Sequence, residues 1–292
     1  MSKPAGHPAR DTGQMSASID LRPRGAYGID GDFQTVSAAG QVAIVGAVCA
    51  ALGAFTAVSA VAGWVVVAVI TGLVAVWLLM TVAFYAYTTR VGKFTVWARI
   101  LTGLGLRGDE DLLDLGCGRG AVLLAAAKLL PDGHAVGIDV WQADQTGNSP
   151  EATRRNAELE GVAARVTLHT GDITSLPFDD RSFDVIVSSF VLHNIPTAAG
   201  REAAIGEAVR VLRPGGRIVI VDLAHTGVYR AQLARLGLAD ARRRNLGWRV
   251  WWGGPWFPSR LVSARRSPAR GATPERTSTC GRTVPATPRH SY

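Results

Sequence analysis

The chain has 292 residues, of which 48% are hydrophobic and only 18% charged, with a formal net charge of +8. A charged share below the usual roughly 25% points to a segment that avoids water. The three cysteines, Cys49, Cys117 and Cys280, stand far apart without metal-ligand spacing. Neither a disulfide framework nor a zinc site is supported, and no metal is expected.

The positive charge is concentrated at one end. Residues 224–292 hold thirteen Arg, no Lys, one Asp and one Glu, a net of +11, so the remainder sums to −3. Nucleic acid, anionic lipid or a solvated arginine-rich tail would each account for such a region.

In chain order, residues 1–35 are polar and rich in Gly and Pro, which reads as a flexible leader. The apolar region that follows starts too late and runs too long for a cleaved signal peptide. From Phe33 to Thr89 there is neither a charged residue nor a proline, a run of 57 residues. One bilayer crossing takes about 20 apolar residues, so residues 36–89 are expected to form two transmembrane helices. Ser, Ala and Gly gather at 59–64, which predicts helices over 41–60 and 64–87. Ala39, Ala43, Ala47 and Ala51 form a stripe of the kind that lets helices approach closely in lipid. Trp77, Phe84, Tyr85 and Tyr87 load the second helix with aromatics, and the last three suit a membrane–water interface. Lys3, Arg10, Arg22 and Arg24 precede the run and Arg90, Lys93 and Arg99 follow it, so both ends are expected in the cytoplasm.

Residues 90–265 change pattern. Strands are expected at 112–115, 135–139, 166–169, 183–188 and 217–223, with helices at 121–129, 150–160 and 201–212 between them. A helix at 228–236 and strands near 241–250 and 260–264 follow. The alternation predicts an α/β domain with a Rossmann-like, doubly wound, mostly parallel seven-stranded sheet behind the two-helix hairpin. Residues 266–292 lack large apolar side chains and are expected to be a disordered basic tail.

The chemical signal is Leu112-Leu-Asp-Leu-Gly-Cys-Gly-Arg-Gly120. Gly116, Gly118 and Gly120 end a strand and open a helix, where glycine lets a ligand touch the backbone. With Ala121 the run also fits the dinucleotide fingerprint of an NAD(P)-dependent oxidoreductase. Three acids at successive strand ends, Asp114, Asp139 and Asp172, suit a positively charged nucleoside better. Cys117 reads as a small filler of the loop rather than a nucleophile.

Together Asp114–Gly120, Gly137-Ile-Asp-Val140, Gly171-Asp-Ile-Thr-Ser-Leu-Pro-Phe178, Ser182–Ser188 and Leu212-Arg-Pro-Gly-Gly-Arg217 resemble class I S-adenosylmethionine-dependent methyltransferases. The resemblance is to the small-molecule branch that includes ubiquinone and menaquinone methyltransferases, and it covers residues 112–223. It implies S-adenosyl-L-methionine as cofactor. Asp114, Gly116, Cys117, Gly118 and Gly120 would hold its methionine part, and Asp139 would accept its ribose hydroxyls. Asp172 would bond the adenine amino group with Ile173 against the ring, Val140 or Trp141 would cover the other face, and Ser188 would line the pocket near the sulfonium. The segment after the fourth strand is where the family places substrate contacts, and His193 is the base candidate there. A helix-start histidine satisfied by its neighbours is the alternative. Asp222 ends a later strand and is given no site role.

The segment 247–256 holds four of the eight tryptophans. It reads as an interfacial patch, a lid over an apolar substrate, or a hairpin packed on the sheet. The expected partners are thus a membrane and a lipophilic small molecule or lipid substrate. Nucleic acid is disfavoured by the anchor, and the oligomeric state is left open. A non-catalytic membrane-bound scaffold with the same fold is the remaining alternative.

Overall fold

The computed structural model describes residues 19–31, 38–142, 145 and 147–268. Most of the expected leader and nearly all of the expected tail lie outside the described residues.

Two long apolar helices come first, α1 (Ala38–Val61) and α2 (Val65–Tyr87). They are joined by a turn in which Trp64 N–H donates to the Ser59 carbonyl. Both are long and apolar enough to cross a membrane, and most of their surface is exposed. Their seam differs from the expected alanine stripe: Ala43, Ala47 and Ala51 are exposed, whereas Val45, Cys49, Leu52, Thr56 and Ser59 are covered. These five recur every three or four residues, the spacing of one helix face. At the seam the Thr56 and Thr71 hydroxyls meet at 2.8 Å.

The second helix does not end near residue 87. It passes through a π-turn (Thr88–Gly92) into α3 (Lys93–Gly103) without a break. Arg90, Lys93 and Arg99 interrupt the apolar run, yet Val96, Trp97, Ile100 and Leu101 keep one face buried. Burial of that stripe, not overall hydrophobicity, carries the helix into the sheet domain.

That domain is a seven-stranded sheet in the order β3-β2-β1-β4-β5-β7-β6. The strands are β1 (Asp111–Leu115), β2 (His134–Asp139), β3 (Val166–Thr170), β4 (Phe183–Ser189), β5 (Leu212–Asp222), β6 (Ala239–Asn245) and β7 (Arg260–Arg265). The first five are mutually parallel, and β7 runs antiparallel to β5 and β6. The connecting helices are α4 (Ala121–Lys128), α5 (Pro150–Leu159), α6 (Ala198–Val211) and α7 (Thr226–Arg235). Local chemistry fixes their starts. The Ser149 hydroxyl caps α5 through Ala152 N–H, with Pro150 in the first turn, and Thr197 caps α6 through Gly200 N–H.

Period-two alternation sorts the core onto both sheet faces. Val185, Val187, Val219 and Val221 pack with α3 and α4. Ile186, Ile218 and Ile220 pack with α6 and α7. Residues 213–216, which precede the strand expected at 217–223, sit inside β5 as an irregularity: the register jumps from Phe183↔Leu212 to Val185↔Arg217.

Two further segments depart from expectation. Residues 19–31, read as part of a flexible leader, lie against the domain. Glu160 accepts from Arg24 N–H, Gly25 N–H and the Tyr27 hydroxyl, and it pairs with Lys128 at 2.6 Å. Burial works to raise its pKa, but Lys128, Tyr27 and the two amides outweigh burial and hold it below the usual value. The tryptophans of segment 247–256 pack on α2, while Val250 between them is buried with the valines of β4 and β5. Trp256 meets Trp77, Trp251 meets Phe84, Trp252 meets Tyr85, and Trp248 stacks on Tyr87, all with ring centroids within 6 Å. The aromatics of α2 that suited an interface are therefore partners of this segment.

Contact is closest at Gly92, where an added Cβ would lie 1.7 Å from the Arg249 carbonyl oxygen. Gly92→Val is expected to lower stability by about 1–3 kcal/mol, as overpacking does. The check is the denaturation midpoint of the full chain.

Candidate active site

Beyond the C-terminal ends of β1, β2 and β4 lies a cavity of about 290 Å³. Its walls come from the glycine loop, α3, the strap 19–31 and the tryptophan segment. The edge is where a parallel sheet with this crossing order binds ligands, because the connections to either side diverge there.

The glycine loop runs from β1 into α4. Gly116 and Gly118 both adopt positive φ, +68° and +49°, a backbone state that side chains oppose. A Cβ on Gly116 would fall 2.4 Å from Val191, and one on Gly118 would fall 2.6 Å from the Gln145 side-chain oxygen. Gly120 caps α4 in the left-handed conformation. Cys117 is buried, and burial followed by the charges of Asp114 and Asp139 pushes its thiol pKa well up. A buried thiol held protonated fills space in the loop and is a poor nucleophile.

Asp139 ends β2 and organises the loop. Its Oδ2 accepts from Gly118 N–H at 2.8 Å and its Oδ1 from Trp141 N–H at 2.6 Å. Trp141 reaches this contact with φ at +57°, an uncommon state for a bulky residue.

Asp114 lies on the floor of the cavity. Its Oδ1 is buried and has no hydrogen-bond partner among the described residues. Burial, then the nearby Asp139 charge, drives its pKa well above the carboxylate range, against the pull of the Leu123 amide. A buried acceptor without a donor is costly, so this atom fits a ligand that brings an N–H group or a cation. A pyrophosphate would add negative charge beside it, and the dinucleotide reading is not favoured.

The opposite wall can serve acid–base chemistry. His193 lines the cavity, and its Nδ1 lies 2.5 Å from Asp222 Oδ1. The histidine's backbone N–H donates to Asp222 Oδ2, and Leu223 N–H donates to Oδ1. Asp222 is fully buried, so the imidazole is tied at one nitrogen to a fixed carboxylate. Tyr229 is buried near it, and burial and then the Asp222 charge hold its phenol protonated.

Of the sequence-predicted residues, Asp114, Gly116, Cys117, Gly118, Asp139 and His193 line the cavity. Gly120 stands behind them as the helix cap. Ser188 does not line it: the side chain is fully buried and its hydroxyl donates to the Leu115 carbonyl. Strand alternation brings Ser189 to the cavity instead, where its hydroxyl accepts from Trp97 Nε1 at 2.8 Å. Asp172 is exposed and closes its own turn through Thr174 N–H, Ile173 is in the core beneath it, and Val140 is 47% exposed. These three lie outside the cavity lining. The loop of Asp172 and Ile173 is tied to the site by Gly171 N–H, which donates to the Asp139 carbonyl at 3.1 Å.

Sequence reasoning missed the residues brought in from afar. The Asp30 carboxylate accepts from Lys93 Nζ, Thr89 Oγ1 and Gln145 Nε2, and Gln145 Oε1 accepts from Arg119 N–H. The strap and the π-turn are thus wired to the glycine loop. Tyr85, Phe94, Trp97, Phe190 and Trp252 form an aromatic wall. Among the described residues no group of His, Cys, Asp and Glu is placed to hold a metal.

Comparison with known proteins bears on the same region. Residues 113–220 match the family model described as "Methyltransferase domain". A demethylmenaquinone methyltransferase from Beutenbergia cavernae is 39% identical over 136 residues, covering 46% of this chain and 50% of the relative. The ubiquinone/menaquinone biosynthesis C-methyltransferase UbiE from Dinoroseobacter shibae is 35% identical over 134 residues, covering 46% and 50%. The chain therefore spans about half the length of the curated relatives it matches. A solved S-adenosylmethionine-dependent methyltransferase from Aquifex aeolicus aligns with a TM-score of 0.47 at 18% identity, over 58% of this chain and 88% of that one. Residues 113–220 thus resemble class I S-adenosylmethionine-dependent methyltransferases of the ubiquinone/menaquinone branch.

Proposed function

We propose that this chain is a membrane-anchored S-adenosylmethionine-dependent methyltransferase acting on a lipophilic small molecule or lipid, of the quinone-biosynthesis type its relatives represent. The observation that carries the reading is the cavity itself. One wall is a glycine loop with an unpartnered buried carboxylate oxygen. The facing wall is aromatic and is built from the domain-side end of a long apolar helix.

In this reading Asp114 faces the cofactor's amino group, and the backbone of Gly116 and Gly118 receives its methionine part. Asp139 has oxygens already fixed by two amides, which presents its remaining acceptor capacity to the ribose hydroxyls. Asp172 and Ile173, on the adjoining loop, flank the adenine, with Val140 or Trp141 across from them. When bound, the cofactor supplies an electrophilic methyl group on a sulfonium. The protein's task is then alignment of the acceptor, and orientation alone is worth roughly 7–11 kcal/mol in favourable cases. His193, held by Asp222 through Nδ1, turns Nε2 towards the cavity as the base that takes the acceptor's proton. The two apolar helices cross the bilayer as a hairpin with the catalytic domain on the cytoplasmic side, which sets the aromatic wall beside the lipid from which the acceptor comes.

Asp114 yields a pH prediction. Its raised pKa means that it binds a proton more tightly in the empty site, and a cation at Oδ1 displaces that proton. Cofactor affinity is expected to rise with pH up to that pKa, with proton release on binding, and the release is expected to vanish in Asp114→Asn. Calorimetry in buffers of different ionisation enthalpy measures it. The same titration with NAD(P) tests the reading as a whole: heat from S-adenosylmethionine and none from NAD(P) is expected, and the reverse result overturns it.

A further inference from the structure

Residues 250–259 contain no charged side chain and are bracketed by Arg249 and Arg260. They form a small closed hairpin. Trp252 N–H donates to the Phe257 carbonyl, Phe257 N–H to the Gly254 carbonyl, and Ser259 N–H to the Val250 carbonyl. The Thr88 hydroxyl covers the Trp251 carbonyl. These bonds pair part of the hairpin's backbone inside the protein, which lowers the cost of irregular backbone at membrane depth.

The hairpin lies along α2, and its tip is apolar and open. Trp256 is 47% exposed, Phe257 58% and its neighbour Trp77 48%. The tip does not close the cavity: of this hairpin only Trp252 lines it. A lid therefore does not explain the exposed tip.

Helix geometry fixes its depth. Tyr87, stacked on Trp248, marks the level of Arg90 and Arg249. Trp77, ten residues earlier on α2, lies about 15 Å further along the axis at ~1.5 Å per residue. The whole of α2 is about 35 Å long by the same rise, enough for a hydrocarbon core of about 30 Å. If Trp256 stayed in water, only residues 65–76 would remain to cross, about 18 Å of helix, and the crossing would fail.

We propose that residues 250–259 are a re-entrant loop that enters the leaflet on the catalytic side. Trp256 and Phe257 would lie in the acyl region, and Arg90 and Arg249 would lie against anionic lipid headgroups. The basic surroundings favour that partner: Arg242, Arg243 and Arg244 are exposed on β6 just before the segment. Trp252 belongs to the same hairpin, so insertion sets one cavity wall against lipid. This inference rests on the membrane-anchored reading above.

The test uses the full chain in vesicles of phosphatidylcholine and phosphatidylglycerol, with and without bromine on the acyl chains. Emission from Trp256 is taken as the difference between the wild type and Trp256→Phe. Phe257→Trp adds a second reporter at the same depth. Both signals are expected to fall about twofold or more with brominated lipid and to resist aqueous iodide, as acyl-level tryptophans do. Spanning is read separately from labelling of Ala62→Cys by a membrane-impermeant maleimide, taken as the increment over the wild type with its three cysteines and expected only from the side opposite the catalytic domain. If Ala62→Cys is labelled as expected but iodide quenches Trp256, the loop is in water and the inference is overturned while the anchor stands. Shielding from iodide without bromolipid quenching means a protein partner and also overturns it. If Ala62→Cys is labelled from the catalytic side, the anchor reading fails and the loop with it.

Discussion

Asp139→Ala is expected to weaken S-adenosylmethionine binding by about 100-fold or more. The substitution leaves the Gly118 and Trp141 amides without their acceptor. Loss of these part-buried contacts, worth up to roughly 1–3 kcal/mol, lets the glycine loop disorder in the empty site, and each 1.4 kcal/mol spent on reordering it is a factor of ten in affinity. The contact with the cofactor's ribose is lost in addition. Asp139→Asn is expected to cost less, because its one carbonyl oxygen keeps one of the two amides. Calorimetric titration of the three proteins checks the order. Equal affinity for wild type and Asp139→Ala would mean that the cofactor binds elsewhere.

Asp222→Asn carries the second large effect, and it falls on a different constant. The buried carboxylate receives the His193 imidazole at Nδ1 and also two backbone amides. An asparagine keeps the shape but can turn its NH2 group to Nδ1, which reverses the tautomer and removes the free base from Nε2. General-base assistance contributes typically about 10²–10⁴-fold, so kcat is expected to fall by about that factor. The cofactor's Kd should stay within a few-fold, because Asp222 makes no contact with the glycine loop. A fall in cofactor affinity without a fall in kcat would make the pair a structural brace and not the proton acceptor.

The sequence was most legible where one physical pattern acted alone. Leu112, Leu113 and Leu115 read as a strand because a parallel strand is buried on both faces, and Gly116, Gly118 and Gly120 read as a ligand loop because glycine takes positive φ most readily and lets a ligand touch the backbone. It was least legible where two patterns met. The apolar run ends at Thr89 and the second helix was expected over 64–87, but the stripe Val96, Trp97, Ile100 and Leu101 continues the helix into the core. Ser188 and Ser189 are indistinguishable by type, and only the phase of β4 decides which faces the cavity. Asp30 and Gln145 are single polar residues in unpatterned segments, and their meeting depends on how the strap folds back. The aromatics of α2 and of residues 248–256 read separately as interface residues, because nothing local marks two distant clusters as partners.

The proposed function stands on transfer of a methyl group in this cavity to a lipophilic acceptor. Incubating the full chain with methyl-labelled S-adenosylmethionine and a fractionated membrane extract tests it most directly. Label is expected in an organic-soluble fraction, abolished by Asp139→Ala and strongly reduced by Asp222→Asn. Label confined to a water-soluble fraction, or transfer that both substitutions leave unchanged, would contradict it.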